Sequence, residues 1–117
     1  MPTAAEILHS YWEAECRLDV EAVMRHYRAD AMLELPTGRW QGASIREYYK
    51  RSLAELRSLR ITVHRVIGDG DLQCIEFSAV VIRSNWTTTE FDGASVADCD
   101  GELIKHLKVY FDPSPAR

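Results

Sequence analysis

Residues 61–83 read ITVHRVIGDGDLQCIEFSAVVIR. Apolar and polar side chains alternate along both arms, and Gly68-Asp69-Gly70-Asp71 divides them. Alternation sends successive side chains to opposite faces of an extended chain, while glycine supplies the positive φ of a tight turn. The stretch therefore predicts two antiparallel strands, Ile61 to Ile67 and Leu72 to Arg83. Ile75, Phe77, Ala79 and Val81 share one face of the second.

Downstream the same period continues. Ser84-Asn85 turns the chain into a strand from Trp86 to about Cys99, within which Asp92-Gly93 predicts a bulge. Asp100-Gly101 predicts the last hairpin, and Leu103 to Phe111 the final strand before Asp112-Pro113. Upstream the period is helical. Thr3-Ala4-Ala5-Glu6 is a capping box that opens a helix to about Cys16, with Ala4, Ile7, Leu8, Tyr11 and Ala14 as its apolar stripe. Asp19 caps a shorter helix bearing Val20, Val23, Met24 and Tyr27 on one face. A strand from Ala31 to Leu35 stops at Pro36-Thr37-Gly38. Ser44-Ile45-Arg46-Glu47 reads as a second capping box, starting a helix to about Leu59 with Ile45, Tyr49, Leu53 and Leu56 aligned. Helices first and an antiparallel meander last define an α+β class. The expected form is a cone: three N-terminal helices packed on a curved, mainly antiparallel sheet.

The 117 residues suit a single domain, 1–117, with one core and one modest pocket. Eighteen acids against fourteen bases give a net charge of −4, which offers no general attraction to phosphate backbones, so no nucleic-acid partner is expected. Ala79-Val80-Val81-Ile82 is too short to span a bilayer, and the N-terminus has no secretory pattern. The odd, widely spaced Cys16, Cys74 and Cys99 read as reduced thiols of a cytoplasmic protein. Four scattered histidines and these cysteines show no metal-ligand spacing, so neither metal nor organic cofactor is expected. Gly93-Ala94-Ser95-Val96-Ala97 lacks the second glycine of a nucleophile elbow, and Gly68-Asp69-Gly70 precedes no helix that could cradle phosphate.

The order Leu18-Asp19-Val20-Glu21, His26-Tyr27-Arg28-Ala29-Asp30-Ala31, Pro36-Thr37-Gly38 and Gly42-Ala43-Ser44-Ile45-Arg46-Glu47-Tyr48-Tyr49 resembles the nuclear transport factor 2-like superfamily. Asp100-Gly101-Glu102 and Val109-Tyr110-Phe111-Asp112-Pro113 extend the likeness to the end of the chain. Within that superfamily the chain is similar to the ketosteroid isomerase and SnoaL-like polyketide cyclase branch. The resemblance implies an oxyanion-binding tyrosine at Tyr11, with Tyr27 and Tyr49 supporting it. It places the isomerase base at Leu35 and the second acid near Ser95, so true ketosteroid isomerase chemistry is not expected. The Arg and Asp positions of the limonene epoxide hydrolase relatives correspond to Phe77, Ala79 and Val109.

Tyr11, Tyr27 and Tyr49 lie on apolar stripes, either packed with their hydroxyls at a rim acceptor or anchoring a ligand. Asp98 faces the pocket beside Leu103 and Leu107 if the last hairpin is a two-residue loop at Asp100-Gly101. Ser95 and Ala97 face it if the loop has three residues. Alternation turns Leu107, Val109 and Phe111 inward and His106, Lys108 and Glu34 outward. The expected site thus has Tyr11 and Asp98 as catalytic candidates. Its pocket would be lined by Tyr27, Leu35, Trp40, Tyr49, Phe77, Ala79, Ser95, Leu107, Val109 and Phe111. The expected activity is a cofactor-free isomerase, cyclase or hydratase/hydrolase acting on a small hydrophobic polycyclic or terpenoid-like molecule. The alternative is a non-catalytic ligand-binding or assembly module. Val80 and Ile82 on the outer face of the sheet point to a homodimer.

Overall fold

A computed structural model describes residues 2–113. Helix α1 (Ala4–Cys16) starts at the expected capping box: Glu6 N donates to Thr3 Oγ1 at 3.2 Å and Thr3 N to Glu6 Oε1 at 2.9 Å. Helix α2 (Val20–Met24) is capped by Asp19, whose Oδ1 accepts from Ala22 N. The strands β1 (Tyr27–Leu35) and β2 (Gly38–Gln41) follow, then α3 (Ser44–Ala54). Four long strands follow: β3 (Leu56–Asp69), β4 (Leu72–Arg83), β5 (Thr88–Asp100) and β6 (Leu103–Phe111). All six strands form one sheet in the order β2-β1-β6-β5-β4-β3, antiparallel except for the β1–β6 pair. This is the α+β architecture expected from the pattern, three N-terminal helices against a mostly antiparallel sheet.

Helix α1 crosses the inner face of β3 to β6 and buries Ala4, Ile7, Leu8, Tyr11, Trp12 and Ala14 against Ile75, Phe77, Ala97 and Leu107. Its N-terminus is tied to the β3–β4 hairpin. Ala4 N donates to Gly70 O at 2.8 Å, and the buried Gln73 takes Ala5 N on its Oε1 while donating to Gly68 O. Two helix donors that would otherwise lack partners are thereby satisfied, and the helix axis is fixed relative to the sheet.

Several elements depart from the sequence reading. Tyr27 opens β1 instead of extending α2, and the edge strand β2 pairs with β1 through Leu35–Gly38. The cap of α3 is Ala43, with no side-chain bond; Ser44 Oγ instead bonds Gln41 N and O across the preceding turn. That helix ends at Ala54, not near Leu59, and the chain is already extended from Leu56. A register shift between Leu56 and Ser58 lets Leu56 and Leu59 both face inward three residues apart, a spacing that imitates a helix. Asp92-Gly93 holds no bulge: pairing runs unbroken through Gly93, which lies against Phe77 on β4.

Candidate functional site

Between α1, α3 and the inner face of the sheet lies a cavity of ≈ 280 Å³. Helix α1 lends it Tyr11, Trp12 and Glu15, and α3 lends Tyr48, Tyr49, Ser52 and Leu53. The sheet supplies Leu35, Phe77, Ala79, Val81, Phe91, Ser95, Leu107, Val109 and Phe111, while Thr37, Glu55 and Arg83 also line it. Arg83 Nη1 donates to Thr89 Oγ1 at 2.7 Å.

The inner polar group is a chain of four side chains. Tyr27 and Tyr49 hydroxyls are 2.8 Å apart, those of Tyr49 and Tyr11 2.5 Å, and Tyr11 Oη donates to Glu15 Oε2 at 3.2 Å. An ionised carboxylate only accepts and each phenol holds one proton. The direction is therefore fixed when Glu15 is charged: Tyr27 donates to Tyr49, Tyr49 to Tyr11, and Tyr11 to Glu15. Burial pushes the Glu15 carboxyl up to about 7, against a smaller opposing effect from the Tyr11 hydrogen bond. Glu15 also occupies the last turn of α1, which carries no basic residue, so the negative end of the helix dipole disfavours the anion further. Burial likewise pushes Tyr11, Tyr27, Tyr48 and Tyr49 above the ordinary phenol value, so all four stay protonated at neutral pH. The arrangement is a carboxyl poised near neutrality, held by a protonated tyrosine chain, in an apolar cavity. Such a group can take a proton from a bound molecule or return one.

Of the residues expected in the pocket, Tyr11, Leu35, Tyr49, Phe77, Ala79, Ser95, Leu107, Val109 and Phe111 do line this cavity. Tyr27 lies behind it, reaching it through Tyr49. Trp40 on β2, opposite Leu33, does not line the cavity: it packs on Tyr48 with ring centroids 4.4 Å apart. Asp98 is turned out of the cavity. The last hairpin is a two-residue turn at Gly101-Glu102; plain alternation keeps Ser95, Ala97 and Cys99 buried on β5, and a register shift on β6 lets Ile104 and Leu107 both face inward. Asp98 therefore aligns with Leu72 and His106 on the outer face and meets Lys105 Nζ at 3.5 Å. His106 and Glu34 point outward as expected, joined at 2.9 Å.

Glu15 is the site residue the sequence reading missed. Its signal was present as spacing: Leu8, Tyr11 and Glu15 stand at i, i+3 and i+7 on α1, so the carboxylate ends the buried stripe. No group of His, Cys, Asp and Glu among the described residues has the geometry to hold a metal ion.

The chain belongs to the family of SnoaL-like domains, which matches it over residues 8–107. No curated protein matches it. Solved structures share the fold at low identity. A Catenulispora acidiphila protein with a ketosteroid isomerase-like fold, in complex with trimethylamine, superposes with a TM-score of 0.83 at 19% identity, covering 94% of this chain and 88% of that one. A Mycobacterium tuberculosis epoxide hydrolase similar to limonene epoxide hydrolases gives 0.81 at 19% identity over 96% and 84%. TerC, co-crystallised with polyporic acid, gives 0.80 at 17% identity over 95% and 92%. The fold is thus the nuclear transport factor 2-like fold.

Proposed function

We propose that the protein is a cofactor-free enzyme in which Glu15 moves a proton on a small hydrophobic molecule, as an isomerase, cyclase or hydratase does. The observation that carries this reading is the Glu15 carboxyl inside an aromatic and aliphatic cavity, bonded to the Tyr11–Tyr49–Tyr27 chain. Position 35, where the resemblance places the isomerase base, holds a leucine in the wall of the same cavity. The proton carrier comes from α1 instead. Tyr11 gives its one proton to the carboxylate and so acts as a positioning residue. Protonated Glu15 can donate to a developing oxyanion while Tyr11 still bonds its carbonyl oxygen. The volume falls just below the roughly 300–1,000 Å³ of sites for drug-sized ligands, which favours a one- or two-ring molecule over a larger polycycle. Relatives of this fold named as an epoxide hydrolase or crystallised with small molecules support such a use of the cavity.

The test is ring opening of 5-nitrobenzisoxazole, in which a base removes the ring C–H proton and the N–O bond breaks to give a cyanophenolate. The expected rate rises through a single ionisation near 7 and falls at least tenfold in Glu15→Gln. Activity unchanged in that variant would remove Glu15 from the chemistry. Binding of an apolar ligand with no turnover of the probe in the parent would favour a receptor.

The outer face of the sheet supports a homodimer, because no described helix covers it and Ile67, Leu72 and Tyr110 are exposed there. The three cysteines stand as separate thiols, which supports a reducing, cytoplasmic setting. No described helix is long and apolar enough to cross a membrane.

A further inference from the structure

Seven aromatic rings line the cavity, and their contacts form one unbroken belt. Centroid separations run 5.1 Å from Tyr48 to Tyr49, 6.3 Å to Tyr11, 6.3 Å to Trp12, 5.4 Å to Phe77, 6.5 Å to Phe91 and 5.1 Å to Phe111. Glu15 stands on α1 with two of these rings, Tyr11 and Trp12, one helical turn beyond Tyr11. Aromatic faces carry negative quadrupole potential and attract cations that shed water easily. Taking a carboxylate out of water among such rings carries a desolvation cost that a cation beside it offsets. We propose that the cavity selects a small apolar cation, an alkyl- or arylalkyl-ammonium, seated between the Glu15 carboxylate and the aromatic belt.

The choice among ligand charges follows from the lining. Among the described charged groups of the lining, two carboxylates, Glu15 and Glu55, stand against one guanidinium, Arg83, so an anion meets net negative charge in a poorly solvated space. A neutral hydrocarbon of the same shape gains the same apolar contact but leaves the carboxylate unpaired. A compact ammonium gains the contact, the ring potential and the ion pair together. The inference rests on the reading of Glu15 as the working carboxyl of the cavity, and it adds the chemical class of what sits beside it.

Affinity for the cation then depends on pH through Glu15. The titratable groups facing Glu15 are Tyr11 on its own helix, Tyr48 and Tyr49 on α3, and Tyr27 on β1, with Cys16 adjacent in sequence. Glu55 and Arg83 are the other charged groups of the cavity lining among the described residues. The four phenols stay neutral well above pH 8, leaving Glu15 as the group whose charge changes between pH 5 and 8.5.

The experiment compares three probes that differ in charge and little in shape: phenyltrimethylammonium, tert-butylbenzene and benzenesulfonate, titrated calorimetrically into the intact protein. At pH 8.5 the ammonium should bind at least tenfold tighter than tert-butylbenzene, with benzenesulfonate weakest. Lowering the pH to 5.5 should weaken the ammonium at least fivefold and leave tert-butylbenzene within twofold. Glu15→Gln should abolish that pH dependence, and Phe91→Leu should weaken the ammonium more than the hydrocarbon. An ammonium that binds no tighter than its carbon isostere at pH 8.5 overturns the proposal. This comparison needs only the parent protein and so holds even if a variant fails to fold. The benzisoxazole assay separates the two readings. Base activity without ammonium preference would defeat this inference alone, and ammonium preference without base activity would defeat the enzyme reading alone.

Discussion

Glu15 couples the site to stability, and the sign follows from the direction of its shift. Its carboxyl titrates near 7 in the folded protein against an ordinary value of 4.5. Between those values the native state binds more protons than the unfolded chain, so stability falls as pH rises from about 4.5 and levels off above about 7. The full penalty is on the order of 3 kcal/mol at pH 8.5, at 1.36 kcal/mol per unit. Glu15→Gln should therefore be more stable than the parent in urea at pH 8.5, by about 3 kcal/mol, and equal to it near pH 4.5. A constant difference between the two proteins across that range would show that Glu15 titrates like a solvated acid. A second prediction concerns Leu35→Asp. It adds a carboxyl to an apolar wall that already holds Glu15, so desolvation should raise the new pKa and cost on the order of 2 kcal/mol or more in the urea midpoint. A variant as stable as the parent, with an aspartate titrating near 4, would place position 35 in solvent. At this scale Tyr11 and Tyr49 were legible because they sit on the apolar stripes of α1 and α3, whereas Tyr27 was read on a helix stripe and opens β1 instead. Glu15 was not legible, because a carboxylate is read by default as solvated; only its i+4 relation to Tyr11 distinguishes it from its exposed neighbour Glu13. Asp98 misled for the opposite reason: one register shift near a hairpin reverses the facing of a whole strand end.

Elements were legible where their signals were local. Thr3 and Asp19 cap their helices through side chains three residues from their targets, which any sequence displays. The end of α3 was not local. Leu53, Leu56 and Leu59 keep a helical spacing across a helix-to-strand junction, because a register shift lets the strand imitate it. The distant partner of α1 was equally hidden. Gln73 on β4 reads as an ordinary polar strand residue, yet it is 7% exposed and holds Ala5 N from 68 positions away. Gln73→Leu should leave that helix donor and the Gly68 carbonyl without their partner. A loss of about 1–3 kcal/mol is expected, read as a lowered Tm. Gly93 belongs to the same scale. A Cβ there would stand 2.7 Å from Phe77 Cζ and 2.9 Å from the Tyr110 carbonyl oxygen, so the position is glycine for close approach and not for a bulge. Gly93→Ala should cost roughly 1–3 kcal/mol and, by pushing Phe77, change the cavity as well as the melting temperature. An unchanged Tm in either variant would show that the sheet yields locally at no cost.

On the scale of the whole molecule, the two faces of the sheet have different fates. The inner face is covered by α1 and closes the cavity; among the described residues the outer face carries no second layer. Rows across the outer face bring Ile67 beside Cys74 and Val96, and Leu72 beside Asp98 and His106. Leu72 is 55% exposed and Ile67 45%, values that suit a contact surface better than a solvated wall. The protein measures 40 × 30 × 23 Å, so a broad face offers roughly 1,200 Å², above the ~800 Å² per partner of a standard stable interface. The Glu34, His106 and Lys108 cluster on the β1–β6 side supplies polar groups for a rim around the apolar strip. Face-to-face pairing would leave both cavities open, since each lies on the opposite side of its sheet. Sedimentation at micromolar concentration should therefore give a species of twice 13.4 kDa. Leu72→Asp, which sets a second carboxylate beside Asp98 in the strip, should shift it to the monomer while the benzisoxazole rate per chain stays the same. A parent protein that sediments only at 13.4 kDa would leave the outer face solvated, and the exposure of Leu72 and Ile67 would then need another partner to explain it.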